Sequence, residues 1–300
     1  METIGFIGLG VMGRPMAGHL LAKGYPLVVH SRSSGPVNAL VEAGAARADS
    51  PAEVAARATR IITMLPDSPD VELVLAGPDG VFTRMQDGTI LIDTSSIAPA
   101  AARGLAAQAA SLGATMLDAP VSGGEVGAIN ASLSIMVGGE QAAFDAVKPI
   151  LDVMGAPERV IRIGDSGAGQ ICKVCNQMVI GGTLVAVSEA FTLARKAHVD
   201  VALVRDALLG GFAASKVLDV HGQRMLQSNY TPGFRARLFA KDMRIAGVTL
   251  AEHEAAAPVA GVVQQLVTAL LAAGRGEDDY SALSTVLFAL NALEPGPQPS

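Results

Sequence analysis

Cysteine is nearly absent from this chain of 300 residues: there are two, Cys172 and Cys175, in C-x-x-C spacing. Zinc usually needs four ligands, and the five histidines are scattered. Redox motifs of this spacing follow a strand near the start of a domain rather than lying in mid-chain. A disulfide framework and a metal centre are therefore not expected. Lysine is scarce as well, with only Lys23, Lys148, Lys173, Lys196, Lys216 and Lys241. No long basic run relieves a net charge of -6 and a pI near 5.4, which argues against nucleic acid or a membrane surface as partner. An anionic small ligand remains possible where positive charge is local. The start, "METIGFIGLG", has no basic n-region, and no uninterrupted apolar run reaches the roughly 20 residues of a membrane span. The expected compartment is the cytoplasm.

What is present is apolar and ordered in pattern. Half of the residues are apolar, enough to bury a substantial core. Short apolar runs at 3–8, 26–30, 60–65, 89–93, 114–119 and 133–139 read as strands, with helix-compatible stretches such as 11–23 and 98–112 between the first five. That alternation predicts a parallel, doubly wound α/β sheet of Rossmann type, with one more strand at 159–164. After "IGDSGAGQ" (163–170) the apolar residues recur at helical spacing only. Breaks at Gly210–Gly211, Thr231–Gly233 and Pro258 cut the remainder into several helices. The expected organisation is a dinucleotide-binding domain over 1–165, an all-α C-terminal domain over 166–293 entered by a long helix, and a disordered Pro/Gly-rich tail over 294–300.

Gly8, Gly10 and Gly13 stand in G-x-G-x-x-G spacing between the first strand and the first helix. The first glycine permits a tight turn, the second lets backbone approach a pyrophosphate, and the third lets helix pack on strand. Leu9, Val11 and Met12 complete this loop. After the second strand, where an NAD site usually carries Asp or Glu for the ribose hydroxyl, the chain reads "HSRSS". Ser31 takes the acidic place and Arg32 follows, with Ser33 next. An anionic 2'-phosphate would be attracted and no carboxylate would repel it, so NADP(H) is the preferred cofactor and NAD(H) a possible one. The alternative is that Arg32 stacks on adenine or faces solvent.

The stretch "GQICKVCNQM" (169–178) raises the question of function most directly, because a buried ammonium needs a partner or a use. On a helix, Gln170, Lys173, Asn176 and Gln177 fall on one polar stripe of an otherwise apolar rod. A second polar island, "DAPVSGGEVGA" (118–128), lies past the carboxyl end of the fifth strand, the edge where open α/β sheets bind ligands. There the backbone N–H groups of Ser122, Gly123 and Gly124, with the Ser122 hydroxyl, can cradle a carboxylate.

Together "GFIGLGVMGRPMAGHL", "ITMLPDSPDV", "LIDTSSIAP", "DAPVSGGEVGA", "GAGQICKVCNQM", "SKVLD", "YTPGFRARLFAKDM" and "DDYSAL" resemble the β-hydroxyacid dehydrogenase family, from residue 4 to about residue 290. The resemblance implies Lys173 as catalytic acid/base, Asn176 as its partner and substrate orienter, and Ser122, Gly123 and Gly124 as the carboxylate cradle, with Gln177 and Phe234 also bordering substrate. It sets Leu65 and Pro66 beside the cofactor, Ser96 near the nicotinamide ribose, and Lys241 over the cofactor from the helical domain. Arg235 is a weaker candidate, since an exposed arginine is usually a surface charge.

"KVCNQ" departs from the K-x-x-N-N common in 3-hydroxyisobutyrate dehydrogenases. Gln177, "SKVLD" and "TPGFR" are closer to the tartronate semialdehyde reductases, whereas "HSRSS" departs from the usual acidic residue of that branch. The implied reaction is reversible reduction of a small 3-oxo acid to its hydroxy acid by a homodimer or homotetramer. Alternatives are 3-hydroxyisobutyrate, succinic semialdehyde or glyoxylate, and threonate as substrates. An imine reductase, which generally lacks the lysine and the cradle, and a dinucleotide-binding module without catalysis are further from the pattern.

Overall fold

The computed structural model describes residues 1–294; of the tail expected over 294–300, residues 295–300 lie outside the described residues. The chain divides into two compact units, residues 1–173 and residues 174 onward. The first unit follows the order β1 (Ile4–Ile7), α1 (Gly13–Ala22), β2 (Leu27–His30), α2 (Ser34–Glu42), β3 (Ala46–Arg47), α3 (Pro51–Arg57), β4 (Arg60–Thr63), α4 (Ser68–Ala76), β5 (Ile90–Asp93), α5 (Pro99–Ser111), β6 (Thr115–Asp118), β7 (Val121–Ser122), α6 (Gly124–Ile129), β8 (Leu133–Gly138), α7 (Gln141–Leu151) and β9 (Gly155–Gly164).

The sheet runs β3-β2-β1-β4-β5-β6-β8-β7, with β9 paired to β8. Strands β1 to β6 pair in parallel. Beyond β6 the sheet becomes mixed: β8 runs antiparallel to both β6 and β7 before β9 returns parallel to it. The reason is connection length: only α6, six residues long, separates β7 from β8, too little for the crossover a parallel neighbour needs. Both faces of the central strands are covered, and their residues alternate between two cores. Ile4, Phe6, Val29, Ile62, Ile92 and Leu117 belong to one, and Ile7, Val28, Ile61, Leu91 and Met116 to the other. This period of two places Gly8 and Met64 just past β1 and β4, where the strand order reverses and open sheets bind ligands.

Helix α8 (Ala168–Lys196) is followed by α9 (Val201–Leu209), α10 (Lys216–Leu226), α11 (Ala236–Glu252), α12 (Pro258–Ala272) and α13 (Leu283–Leu290). Asp200 and Ser215 cap the starts of α9 and α10, and Pro258 opens α12. The division between units falls inside α8 rather than before it, since its first turns are tied to the sheet by bonds described below. By length and composition alone α8 is long and apolar enough to cross a membrane, although polar residues such as Lys173, Asn176 and Gln177 interrupt its apolar run. Its burial is of another kind. A Cβ at Gly181 would meet Val263 at 2.8 Å and Phe239 at 3.0 Å, so α11 and α12 approach it closely. Buried Ser188 returns its hydroxyl to the Leu184 carbonyl at 2.7 Å.

Candidate active site

The glycine loop has the geometry its spacing requires. Gly8 has φ of +99°, and a Cβ there would run into the Met64 carbonyl, while a Cβ at Gly13 would strike the Gly8 carbonyl. A Cβ at Gly10 would meet nothing within 4 Å, so that side of the loop is open to backbone approach. These residues fit a dinucleotide pyrophosphate. Leu9 is buried, Met12 packs on the core, and Val11 is exposed. Ser31 accepts a hydrogen bond from the Leu9 amide at 3.3 Å, tying the end of β2 to this loop. Arg32 is exposed, and Ser33 precedes α2. One expectation is corrected here: a carboxylate does stand near Arg32, because Asp70 in the first turn of α4 lies 3.7 Å from its guanidinium. The two are brought together by the ends of β2 and β4, a proximity that linear sequence does not display.

The loops after β4 and β5 are joined. The Leu65 amide donates to Ser95 Oγ at 2.8 Å, and Thr63 Oγ1 donates to Asp93 Oδ1 at 2.7 Å. The Ser95 amide donates to the same oxygen at 3.2 Å. Leu65, Pro66 and Ser96 thus lie on segments fixed by a buried set of polar groups. Burial raises the Asp93 carboxyl to about 6, with the neighbouring Asp118 charge adding to the rise and bonds from Ser95 and Thr63 opposing it.

Lys173 stands on α8, half-buried rather than fully enclosed. Its ammonium donates to the Val121 carbonyl at 2.8 Å. Val121 immediately precedes the proposed cradle, so Lys173 and Ser122, Gly123 and Gly124 are brought together. Gly123 and Gly124 both have positive φ, +139° and +62°, a backbone that glycine adopts without strain. A Cβ at Gly124 would meet nothing within 4 Å. Asp118, whose carboxyl burial raises, takes the Gly167 amide on Oδ1 at 2.7 Å and the Gln170 amide on Oδ2 at 2.9 Å. It thereby anchors the first turn of the helix that carries Lys173.

Along the same helix Asn176 donates to the Gln177 side-chain carbonyl at 2.7 Å, and Gln177 donates on to Asp242. Gln177 is buried, with both ends of its amide held by protein. Lys241 Nζ lies 3.1 Å from Asp242 Oδ1. Phe234 stacks edge to face on Tyr280, with ring centroids 5.5 Å apart, and its amide donates to Asp279 at 3.1 Å. Arg235 pairs with Glu277 at 3.1 Å, as a surface charge would. Sequence reasoning assigned no role to Asp93, Asp118, Asp242 or Asp279. The signal for the first two was available: "LID" and "MLD" both end a strand on aspartate, and the two residues are register partners on β5 and β6. Among the described residues no group of three or more His, Cys, Asp and Glu side chains is placed to hold a metal. Cys172 and Cys175 are both thiols.

A glycine loop fitted to a dinucleotide, a strand edge that gathers polar loops, and a lysine at their border define a nicotinamide dinucleotide-dependent oxidoreductase. Residues 3–172 match the NAD-binding domain of 6-phosphogluconate dehydrogenase, and residues 167–287 match the NAD-binding domain of NADP-dependent 3-hydroxyisobutyrate dehydrogenase. The chain is 41% identical to 2-hydroxy-3-oxopropionate reductase of Escherichia coli over 95% of its own length and 96% of that protein. It is 34% identical to NAD-dependent L-serine dehydrogenase of Pseudomonas aeruginosa, over 94% and 97%. A 3-hydroxyisobutyrate dehydrogenase of Mycobacterium tuberculosis with L-serine superposes with a TM-score of 0.87 at 33% identity, covering 96% of this chain and 99% of that one. The chain belongs to the 3-hydroxyisobutyrate dehydrogenase-like branch of the β-hydroxyacid dehydrogenases, and is an oxidoreductase acting on hydroxy acids with a nicotinamide dinucleotide.

Proposed function

We propose that this enzyme reduces tartronate semialdehyde to glycerate, reversibly, with NADP(H) preferred over NAD(H), and that Lys173 is its acid/base. The observation that carries the reading is the Lys173 ammonium held 2.8 Å from the carbonyl of Val121, the residue before the Ser122–Gly124 loop. A carboxylate cradled by that loop sets the carbonyl of a short 3-oxo acid within the reach of a lysine side chain.

When bound, the nicotinamide supplies a hydride in reduction and accepts one in oxidation; Gly8, Gly10 and Gly13 would hold its pyrophosphate, with Leu65, Pro66 and Ser96 along it. Lys173, as ammonium, stabilises the negative charge that grows on the substrate oxygen and gives it a proton; in oxidation the neutral amine removes the hydroxyl proton. Val121 keeps one ammonium proton engaged and so fixes where the others point. Asn176 orients the substrate, and Gln177 sets the Asn176 rotamer. Phe234 and Lys241 keep the substrate and cofactor roles that the family pattern implies.

The cofactor preference is supported by Ser31 in place of a carboxylate and by exposed Arg32; Asp70 beside it moderates the preference. The choice of substrate is supported by the likeness to the Escherichia coli reductase. Oxidation of L-serine or 3-hydroxyisobutyrate is the second reading, favoured by the Mycobacterium tuberculosis structure with L-serine. The same proposal places the enzyme in the cytoplasm as a homo-oligomer, with exposed Val259 and Val262 of α12 among the surfaces to be covered. A monomeric mass in light scattering at micromolar concentration would remove that part.

The test is steady-state kinetics on tartronate semialdehyde, L-serine and 3-hydroxyisobutyrate with each cofactor, for wild type, Lys173→Ala and Arg32→Ala. The expected result is a highest kcat/KM for tartronate semialdehyde with NADPH. Lys173→Ala should lower it on the order of a thousandfold, and Arg32→Ala should lower it about tenfold with NADPH while leaving NADH unchanged. A better rate on L-serine discards the substrate, and NADH equal to or better than NADPH discards the cofactor preference.

A further inference from the structure

The polar groups around Ser95 form a continuous path from the loop after β4 to the catalytic helix, and Gln170 is the member that this helix contributes. This side chain is 1% exposed and uses both ends of its amide on the loop after β5. Nε2 donates to the Ser95 carbonyl at 2.8 Å, and Oε1 accepts from the Ile97 amide at 3.2 Å. Its own backbone amide donates to Asp118. Ser95, also fully buried, accepts from the Leu65 amide with its hydroxyl and donates to Asp93 with its backbone. Gln170 therefore grips the segment that carries Ser96, and Lys173 follows three residues later on the same side of α8.

We propose that Gln170 is a positioning residue for Lys173, joining the cofactor-bordering loop 94–97 and the first turns of α8 into one rigid piece. The inference rests on the assignment of Lys173 as acid/base. A buried amide satisfied at both ends resists displacement, because any shift that breaks one bond leaves a desolvated group unpaired. The loop cannot then move without the helix, and the ammonium keeps its station relative to the segment on which the nicotinamide ribose is expected. Positioning errors near 1 Å lower rates on the order of a hundredfold, so the tie bears on the chemical step more than on binding.

The decisive variant is Gln170→Met, similar in length and without polar ends. We expect kcat to fall about 10- to 100-fold, with the KM of the best substrate and the dissociation constant of NADPH, read from its fluorescence, changed less than about threefold. In cofactor-free protein, hydrogen exchange over residues 94–98 should rise about tenfold or more. Gln170→Glu provides a conservative rescue. Ionised, it sets a carboxylate against the Ser95 carbonyl; protonated, it donates there as the amide does. Its kcat should therefore approach the wild-type value as pH falls, while that of Gln170→Met should not.

Wild-type kcat in Gln170→Met, with unchanged exchange over 94–98, overturns the proposal. If Gln170→Met does not fold, a wild-type rate in Gln170→Glu at a pH where infrared difference spectra show its carboxyl ionised overturns it instead. Lys173→Ala run alongside separates the two levels. An active Lys173→Ala refutes the acid/base assignment, whereas an inactive one beside an unaffected Gln170→Met refutes only the role of Gln170.

Discussion

Asp118 in the sheet unit and Asp279 in the helical unit are both buried, and each gathers the backbone amides of a nearby segment, yet their surroundings neutralise them by opposite means. Asp118 takes the amides of Gly167 and Gln170, and its register neighbour is another carboxylate, Asp93. Asp279 takes the amides of Gly233, Phe234 and Ser281 and the Ser281 hydroxyl. It also has the Arg224 guanidinium at 3.6 Å and the His221 ring at 3.7 Å. At Asp118 the backbone amides oppose burial without outweighing it, so the proton is favoured. In the helical unit the Arg224 guanidinium faces the carboxylate. The Asp279 site should therefore respond most to loss of partners, and the Asp93–Asp118 pair most to pH.

The largest effect is expected at Asp279. Asp279→Ala strips three backbone amides, a hydroxyl and an arginine of their common acceptor, and removing one partner of a buried ion pair typically costs about 3–5 kcal/mol. A fall in thermal midpoint on the order of 10 °C should appear in calorimetry. A loss under about 1 kcal/mol would show that solvent or other groups replace the carboxylate, and the contrast with Asp118 would then disappear.

The second effect is one of pH, at the paired carboxyls of the sheet. Burial raises Asp93 from 3.8 to about 6, so the folded chain holds this proton more tightly than the unfolded one. The resulting stability is complete below the unfolded value and is lost as pH rises through the folded one. The span corresponds to about 3 kcal/mol. Asp93→Asn cannot lose a proton, so its deficit relative to wild type should shrink by about that amount between pH 4 and pH 6.5 and stay constant above. Urea unfolding at half-unit steps of pH measures this. A deficit independent of pH would mean that Asp93 is ionised throughout, and that the sheet unit neutralises its anions as well as the helical one does.

The contrast also separates what sequence shows from what only folding assembles. The strands with a clear apolar period were legible because both of their faces are covered; β3 and β7, two residues each, have no period to read. The direction of β8 was illegible because alternation is the same whichever way a strand runs. Gly8, Gly10 and Gly13 were legible because a glycine loop shows itself in local spacing, and Lys173 because a lysine stands out in an otherwise apolar helix. Gln170 was visible as a polar residue on an apolar helix, but its partner Ser95 lies 75 positions away. Asp118 and the Gln170 amide are separated by 52. Buried ties of this length join residues that are unremarkable locally. The Arg32–Asp70 pair is hidden in the sequence for the same reason.

The smallest effect refines the helical side of the comparison. The Tyr280 hydroxyl lies 2.8 Å from His221 Nε2, and the two rings meet edge to face at 4.7 Å. Burial raises the Tyr280 phenol, so the hydroxyl keeps its proton and donates it, leaving His221 to carry its own hydrogen on Nδ1, toward Asp279. His221 is pushed below its usual value by burial; the Arg224 charge acts in the same direction and Asp279 opposes it. A histidine depressed in this way contributes stability at neutral pH that is lost as pH falls below about 6.5. Tyr280→Phe removes a donor that favours the neutral ring. It should lower stability by about 1 kcal/mol at pH 7.5 and raise the His221 midpoint in imidazole NMR titrations. Because the variant then loses less on acidification, its deficit should narrow toward pH 5. A deficit that stays constant from pH 7.5 to pH 5, with the His221 midpoint unmoved, would reduce Tyr280 to a packing residue.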